Sequence, residues 1–135
     1  MTDLAQATEV TLRKKRPVWY NLSPANLPVP GLVSIFHRVS GGVLFLGMFW
    51  LLYLLDASLA SESSFDSFKA VATHPLGKLV LIGFAWAYLH HFCAGVRYLF
   101  LDMQKGEELH TARKTAASVF VVSLLLTLAV AVAIW

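Results

Sequence analysis

The sequence predicts an all-α integral membrane protein with three transmembrane helices. Hydrophobic residues make up 57% of the 135 residues and charged residues only 14%, which is more apolar and less charged than a typical soluble domain. Three stretches without Asp, Glu, Lys or Arg, 39–55, 79–96 and 115–135, contain 17, 18 and 21 residues. These lengths are close to the roughly 20 residues that a helix needs to cross the hydrocarbon of a bilayer. None of the stretches alternates apolar and polar residues as a transmembrane β-strand would.

The distribution of positive charges predicts that the N-terminus is cytoplasmic. Lysine and arginine are concentrated before the first span and in the second connection, whereas the first connection has only Lys69 and Lys78. The concentrated cations are Arg13, Lys14, Lys15 and Arg16 before the first span, and Lys105, Arg113 and Lys114 in the second connection. By the positive-inside rule both regions face the cytoplasm and the C-terminus lies outside. Because these cations lie beside apolar spans, we expect a lipid bilayer and no nucleic acid as their partner.

The first residues favour a bacterial inner membrane. They lack the apolar core of a signal peptide, and Asp3 and Glu9 are untypical of a mitochondrial transit peptide, which is poor in acidic residues. We therefore expect a multi-pass protein of the bacterial inner membrane.

The chain is expected to form a short N-terminal segment followed by one membrane domain. Residues 1–30 form a cytoplasmic segment and a surface lead-in that contains several prolines, and residues 31–135 form a three-helix anchor. The first helix is expected to begin near Gly31 or Leu32 and to end near Asp56. The stretch SSFDSFKAVA predicts a short surface helix, after which His74-Pro75 opens the second span.

The first span begins with an unusual group of polar residues. Ser34 and Arg38 are four residues apart and therefore share one helix face, while His37 and Gly41 share a neighbouring face. Arg38 is equally compatible with a topological anchor at the membrane surface and with a functional cation.

The second span contains a candidate haem ligand. His91 and Gly95 lie one turn apart on one face, and a histidine inside a membrane span is a functional candidate by default. Neutral imidazole is a common axial ligand of haem iron, although a histidine bonded to a neighbouring helix would give the same pattern. His90 points about 100° away, so it cannot face the same iron, and it is interpreted as a packing residue or as one that supports the ligand. His37 is expected nearer the membrane surface than His91, so a second axial ligand is expected from a partner subunit.

Two ordered patterns of residues extend over most of the chain. The first comprises Arg16, Pro17, Ser34, His37, Arg38 and Ser40, and the second comprises His91, Gly95, Arg97 and Asp102. Together with three spans and this length, they resemble the cytochrome b556 subunit family, the large membrane anchor of succinate dehydrogenase in respiratory complex II. Tyr98, Leu101 and Gln104 depart from the usual family pattern.

The resemblance implies a role for each motif residue. His91 matches the axial ligand of haem b, with the opposite histidine supplied by a small hydrophobic anchor subunit. Ser34 and Arg38 match residues that line the ubiquinone site, His37 with Arg38 matches residues near the haem propionates, and no catalytic residue is expected outside the quinone site. The chain has one cysteine and no glycine-rich dinucleotide motif. We therefore expect FAD to be bound by a flavoprotein subunit and the iron–sulfur clusters by an iron–sulfur subunit.

The implied function is that of a non-flavin subunit of succinate dehydrogenase, without independent activity, that helps to bind haem b and to form the ubiquinone reduction site. An anchor subunit of a quinol:fumarate reductase would share the fold and the site. A haem-free structural or assembly protein is a third interpretation, in which His91 and Arg38 serve only packing and topology.

Overall fold

A computed structural model describes residues 27–135 as four α-helices. They are α1 (Val29–Leu59), α2 (Glu62–Thr73), α3 (Pro75–Asp102) and α4 (Leu109–Ile134). Helices α1, α3 and α4 are long and apolar enough to cross a membrane, which confirms the three predicted spans. Most of the predicted N-terminal segment, residues 1–26, lies outside the described residues.

Helix α1 begins two residues before the predicted start and continues beyond Asp56. Pro28 is the N-cap, and Pro30 lies in the first turn, where a missing N–H costs nothing because those N–H groups have no partner within the helix. Asp56 is exposed, so its carboxylate does not require the helix to end. The helix ends instead at Leu59, after Ser58 has donated its hydroxyl to the Leu55 carbonyl at 2.8 Å.

Helix α2 confirms the predicted short surface helix. A capping box begins it: the Ser61 hydroxyl accepts the Ser64 N–H at 3.1 Å, and the Ser64 hydroxyl accepts the Ser61 N–H at 3.0 Å. No residue of α2 is buried. The next helix begins at Pro75, as predicted, and the His74 ring accepts the Leu76 N–H at its N-terminus.

Helix α3 packs against both α1 and α4, and the surfaces in contact are small or polar. The buried apolar residues are Val33, Ala87, Ala94, Ala116 and Val119. The buried polar residues are Ser40, Ser58, His90, Arg97, Ser123 and Thr127. Large apolar side chains lie instead on the outside of the bundle, where lipid would contact them. This distribution is typical of membrane helices, which associate through close backbone packing and hydrogen bonds because lipid is as apolar as leucine.

A Schellman motif ends α3. The Gln104 N–H donates to the Leu101 carbonyl at 2.8 Å, and the Lys105 N–H donates to the Phe100 carbonyl at 3.1 Å. Gln104 has a φ of 57°, in the left-handed region that usually takes glycine at this position. The turn reverses the chain into α4, so that the first turns of α1 and α4 lie at the same end of the bundle as the last turns of α3. We call this end the polar end.

Gly47 allows α1 to approach α3 closely. Gly47 is buried, and a Cβ at this position would collide with the ring of Phe84. That ring also stacks on Trp50, with centroids 5.9 Å apart and planes inclined by 17°. Phe84 is thus held between the backbone of Gly47 and the indole of Trp50.

We predict that Gly47→Ala destabilises the protein. The added methyl group forces Phe84 away from Trp50, and overpacking of this kind costs about 1–3 kcal/mol of unfolding free energy. The measurement is the thermal unfolding midpoint of the purified complex in detergent.

Gly83→Ala is the matched control, because a Cβ at Gly83 meets nothing within 4 Å. Both substitutions give the same gain in helix propensity, so their difference isolates the contact with Phe84. Equal midpoints for the two variants would contradict the prediction.

Candidate functional site

The imidazole of His91 is fixed by hydrogen bonds to α1. Its Nδ1 lies 3.0 Å from the His37 carbonyl oxygen and 3.3 Å from the Ser40 hydroxyl, which itself donates to the same carbonyl at 3.0 Å. Because a carbonyl oxygen can only accept, Nδ1 carries the proton and donates it. The lone pair of His91 therefore lies on Nε2.

The rings of His37 and His91 stack on each other. Their centroids are 4.1 Å apart and their planes differ by 10°. The prediction that His37 lies nearer the surface than His91 is therefore wrong. Because α1 begins at Val29, about two turns of helix precede His37 and bring it deeper into the bundle.

Gly41 makes room for this pair of rings, and Gly95 borders it. A Cβ at Gly41 would lie 2.9 Å from Cε1 and 3.3 Å from Nδ1 of His91, closer than side-chain packing tolerates. A Cβ at Gly95 would lie 3.8 Å from Nε2 of His37. Each glycine thus faces the histidine of the opposite helix. Gly95 therefore borders His37 of α1, although it lies one turn from His91 on the same face of α3.

Ser34 and Arg38 lie on one face of α1, as their spacing predicts. Nη2 of Arg38 donates to the Ser34 hydroxyl oxygen at 3.1 Å. Arg38 is exposed, whereas its neighbour His37 is turned toward α3. The polar end therefore presents a cation on the outside of α1, one residue away from the histidine pair.

His90 lies in the interior of the bundle, on a different face of α3 from His91. It is fully buried, and neither of its ring nitrogens has a hydrogen-bond partner among residues 27–135. Aromatic rings of α1, α3 and α4 surround it: Phe36, Trp86 and Phe120 have centroids 5.9, 5.4 and 5.1 Å away. This geometry agrees with its interpretation as a packing residue.

The described residues form no group of three histidine, cysteine or acidic side chains that could hold a bare metal ion. Of the two stacked imidazoles at the polar end, His91 is the one whose Nδ1 is fixed by hydrogen bonds, which leaves its Nε2 as an oriented nitrogen donor. A macrocycle that brings its own four nitrogen ligands needs only such an axial donor from the protein.

Comparison with known proteins identifies the family. Residues 12–130 match the family of the succinate dehydrogenase/fumarate reductase transmembrane subunit. The chain belongs to this family. The resemblance expected from the two sequence patterns is thereby confirmed.

Individual relatives agree with the family match. The chain is 37% identical to the succinate dehydrogenase cytochrome b556 subunit of Coxiella burnetii over 125 residues, which are 92% of this chain and 100% of the relative. It is 32% identical to the subunit of the same name from Paracoccus denitrificans over 84% of this chain and 88% of the relative. A third relative of that name, from Rickettsia felis, is 30% identical over 90% of this chain and 94% of the relative. The chain is therefore a membrane-anchor subunit of succinate dehydrogenase, a component of an oxidoreductase complex and a multi-pass protein of the bacterial inner membrane.

The three departures from the usual pattern of the succinate dehydrogenase anchor have different surroundings. The Tyr98 ring lies 5.2 Å from the His37 ring, and its buried hydroxyl has no hydrogen-bond partner within residues 27–135. Leu101 and Gln104 belong to the turn that ends α3, where Leu101 contributes its carbonyl and Gln104 its left-handed backbone. Tyr98 is thus the departure that reaches the histidine pair.

Two contacts at this site were not foreseen from the sequence. The first is the bond from His91 to the His37 carbonyl. Nothing in the sequence indicates it, because every residue has a backbone carbonyl. The role of Ser40 did leave a signal, since a serine three residues after His37 can bond that carbonyl within the same helix.

Proposed function

We propose that this chain is the membrane anchor of a succinate:ubiquinone oxidoreductase, with its N-terminus in the cytoplasm, and that it binds haem b and helps to form the ubiquinone site. The observation that carries the proposal is the state of His91, whose Nδ1–H is bound by the His37 carbonyl while Nε2 keeps its lone pair. Support comes from the family match and from the names of the relatives, which are cytochrome b556 subunits.

His91 has the bonding that a histidine ligand of a metal requires. Such histidines almost always donate their second ring N–H to a carboxylate, a backbone carbonyl or water, which fixes the ring and makes the ligating nitrogen more basic. The His37 carbonyl and the Ser40 hydroxyl fill this role for His91. When bound, haem b supplies one-electron redox chemistry, and the residues of this chain hold and orient it.

The second axial ligand belongs to a partner subunit in this proposal. The rings of His37 and His91 stack with their centroids 4.1 Å apart, which leaves no space for a macrocycle between them. His37 is therefore unsuited to oppose His91. A histidine of the small hydrophobic anchor subunit would supply the second ligand.

Residues beside His91 are suited to the haem propionates. Arg38 offers a charge-assisted bond to a carboxylate, and His37 lies against His91. The Tyr98 hydroxyl, buried beside His37 without a partner among the described residues, offers a further O–H donor. We assign His37 and Arg38 to the propionates, with Tyr98 as an additional contact.

Ser34 and Arg38 form the quinone-facing pair. Ubiquinone takes up two electrons and two protons, and its carbonyl oxygens become more negative as the electrons arrive. The Ser34 oxygen already accepts a bond from Arg38, so its own O–H is left to donate to a quinone carbonyl. The guanidinium then stabilises the negative charge that develops on that oxygen. The electrons come from succinate through the FAD of the flavoprotein subunit and the clusters of the iron–sulfur subunit, so this chain alone is inactive.

We predict that His91→Ala or His91→Tyr removes or alters the haem. The substitution deletes the nitrogen donor that Nε2 provides. The measurement is the reduced-minus-oxidised absorption spectrum of the purified complex, which should show low-spin haem b in the parent and not in the variants.

His90→Leu is the matched control. His90 makes no side-chain hydrogen bond among residues 27–135, so an apolar replacement loses none of those contacts and should leave the spectrum unchanged. An unaltered spectrum in the His91 variants would mean that another residue holds the iron.

We predict that Gly41→Ala weakens haem retention while Gly42→Ala does not. A methyl group at Gly41 displaces the His91 ring from the His37 carbonyl, whereas one at Gly42 meets nothing within 4 Å. Loss of such a partner lowers metal affinity by about tenfold or more. The measurement is the amount of haem kept per complex after dilution into haem-free detergent; equal retention in both variants would contradict the proposed geometry.

We predict that Ser34→Ala and Arg38→Leu depress quinone reduction but spare succinate oxidation by an artificial acceptor. Loss of a hydrogen bond to a charged group costs about 1.5–3 kcal/mol, which corresponds to roughly a tenfold to hundredfold lower quinone reductase rate for Arg38→Leu. Ser67→Ala, on the exposed face of α2, is the control. Unchanged quinone reduction in both test variants would exclude this pair from the site.

A further inference from the structure

A groove runs between α3 and α4 at the polar end, on the other side of α3 from the histidine pair. Its volume is about 320 Å³. Phe92, Val96 and Phe100 form its α3 wall, and Val119 and Val122 form its α4 wall. Phe92, Phe100 and Val122 are more than 40% exposed, so the groove opens sideways toward lipid.

One end of this groove holds a buried arginine whose hydrogen-bond partners among residues 27–135 are all neutral. Arg97 is only 8% exposed. Its Nε donates to the Thr115 hydroxyl at 3.2 Å and its Nη2 donates to the Ala112 carbonyl at 3.2 Å, so both partners lie on α4. A guanidinium has five N–H donors, and these bonds use two of them. A cation taken out of water without an opposite charge is destabilising, and the site therefore favours an anion.

A second cation lies at the same end. The Schellman motif after α3 turns the chain back over Phe100, and this turn brings Lys105 to the rim of the groove. Among residues 27–135, the lining of the groove contains Arg97 and Lys105 and no acidic residue. Its charge is therefore complementary to a phosphate.

We propose that this groove binds an anionic phospholipid, with its phosphate at Arg97 and Lys105 and one acyl chain along the walls of α3 and α4. From Phe92 to Phe100 the apolar wall is about 12 Å long, close to the roughly 15 Å of hydrocarbon in one leaflet. Basic pockets between transmembrane helices on the cytoplasmic side suit anionic head groups. The lipid supplies a negative charge beside the Arg97 guanidinium, and it links α3 to α4. This inference does not depend on the proposed roles of His91, Ser34 and Arg38.

The test compares two lipids and two kinds of variant. Purified complex is stripped of lipid in detergent and titrated with phosphatidylglycerol or phosphatidylcholine, and bound lipids are counted by native mass spectrometry. Lys105→Ala removes one of the two cations, and Val122→Trp fills the groove without a change in charge. The controls are Lys69→Ala, on exposed α2, and Val121→Trp, whose side chain is exposed and lies outside the groove.

We expect the parent complex to prefer phosphatidylglycerol over phosphatidylcholine at one site. Lys105→Ala should weaken that site about fivefold or more, Val122→Trp should abolish it, and both controls should bind like the parent. Haem content, which reports on His91, should remain unchanged in all four variants.

Three results would overturn the inference. One is equal binding of the two lipids at every site. Another is an affinity for phosphatidylglycerol that is the same in Lys105→Ala and Val122→Trp as in the parent complex. The third is a photoreactive residue at Val122 that crosslinks to a partner subunit instead of to lipid, because that would assign the groove to a protein interface.

Discussion

The bond from His91 to the backbone of α1 is the constraint on which the polar end depends. An imidazole N–H inside a bilayer has no water to bond, so a missing partner costs several kcal/mol; His91 avoids this cost, whereas His90 has no partner among residues 27–135. The His37 carbonyl provides the partner, but only if α1 packs closely enough on α3 for the His91 ring to reach it. Gly41 permits that approach, and Gly95 accepts the His37 ring in return. The same bond leaves Nε2 as the free nitrogen, so packing and the proposed haem ligation have one cause.

The membrane also explains why the interior of this bundle is small and polar. In water, burial of large apolar side chains would hold three helices together, but here lipid accommodates those side chains equally well. Alanine, serine and glycine let the helices approach, and Phe84 packs directly on Gly47. His90 illustrates the consequence: its apolar faces pack among three aromatic rings, and His91, the next residue, faces α1.

Much of this arrangement could be predicted from the sequence, and what could not has a physical explanation. Charge-free stretches specify spans, and i, i+4 spacing specifies that Ser34 and Arg38 share a face. Contacts between helices are harder to predict from the sequence, because they depend on where each helix begins and on how closely two helices approach. The sequence places His37 too near the surface, because Pro28 and Pro30 suit the start of α1 and that start lies at Val29. The His37 carbonyl could not be foreseen, since backbone groups have no sequence signature.

Helix α3 has to satisfy two neighbours at once, and its polar residues divide accordingly. His91 and Arg97 are six residues apart, which places them about 120° apart around the helix. One therefore faces α1 and the other faces α4. A phospholipid held at Arg97 would link α3 to α4 and so restrict the rotation of α3 that would break the bond of His91 to α1. In the proposed arrangement the cations of the polar end do more than orient the chain in the membrane: Arg38 would serve the quinone and the haem, and Arg97 would stabilise the helix that presents the ligand.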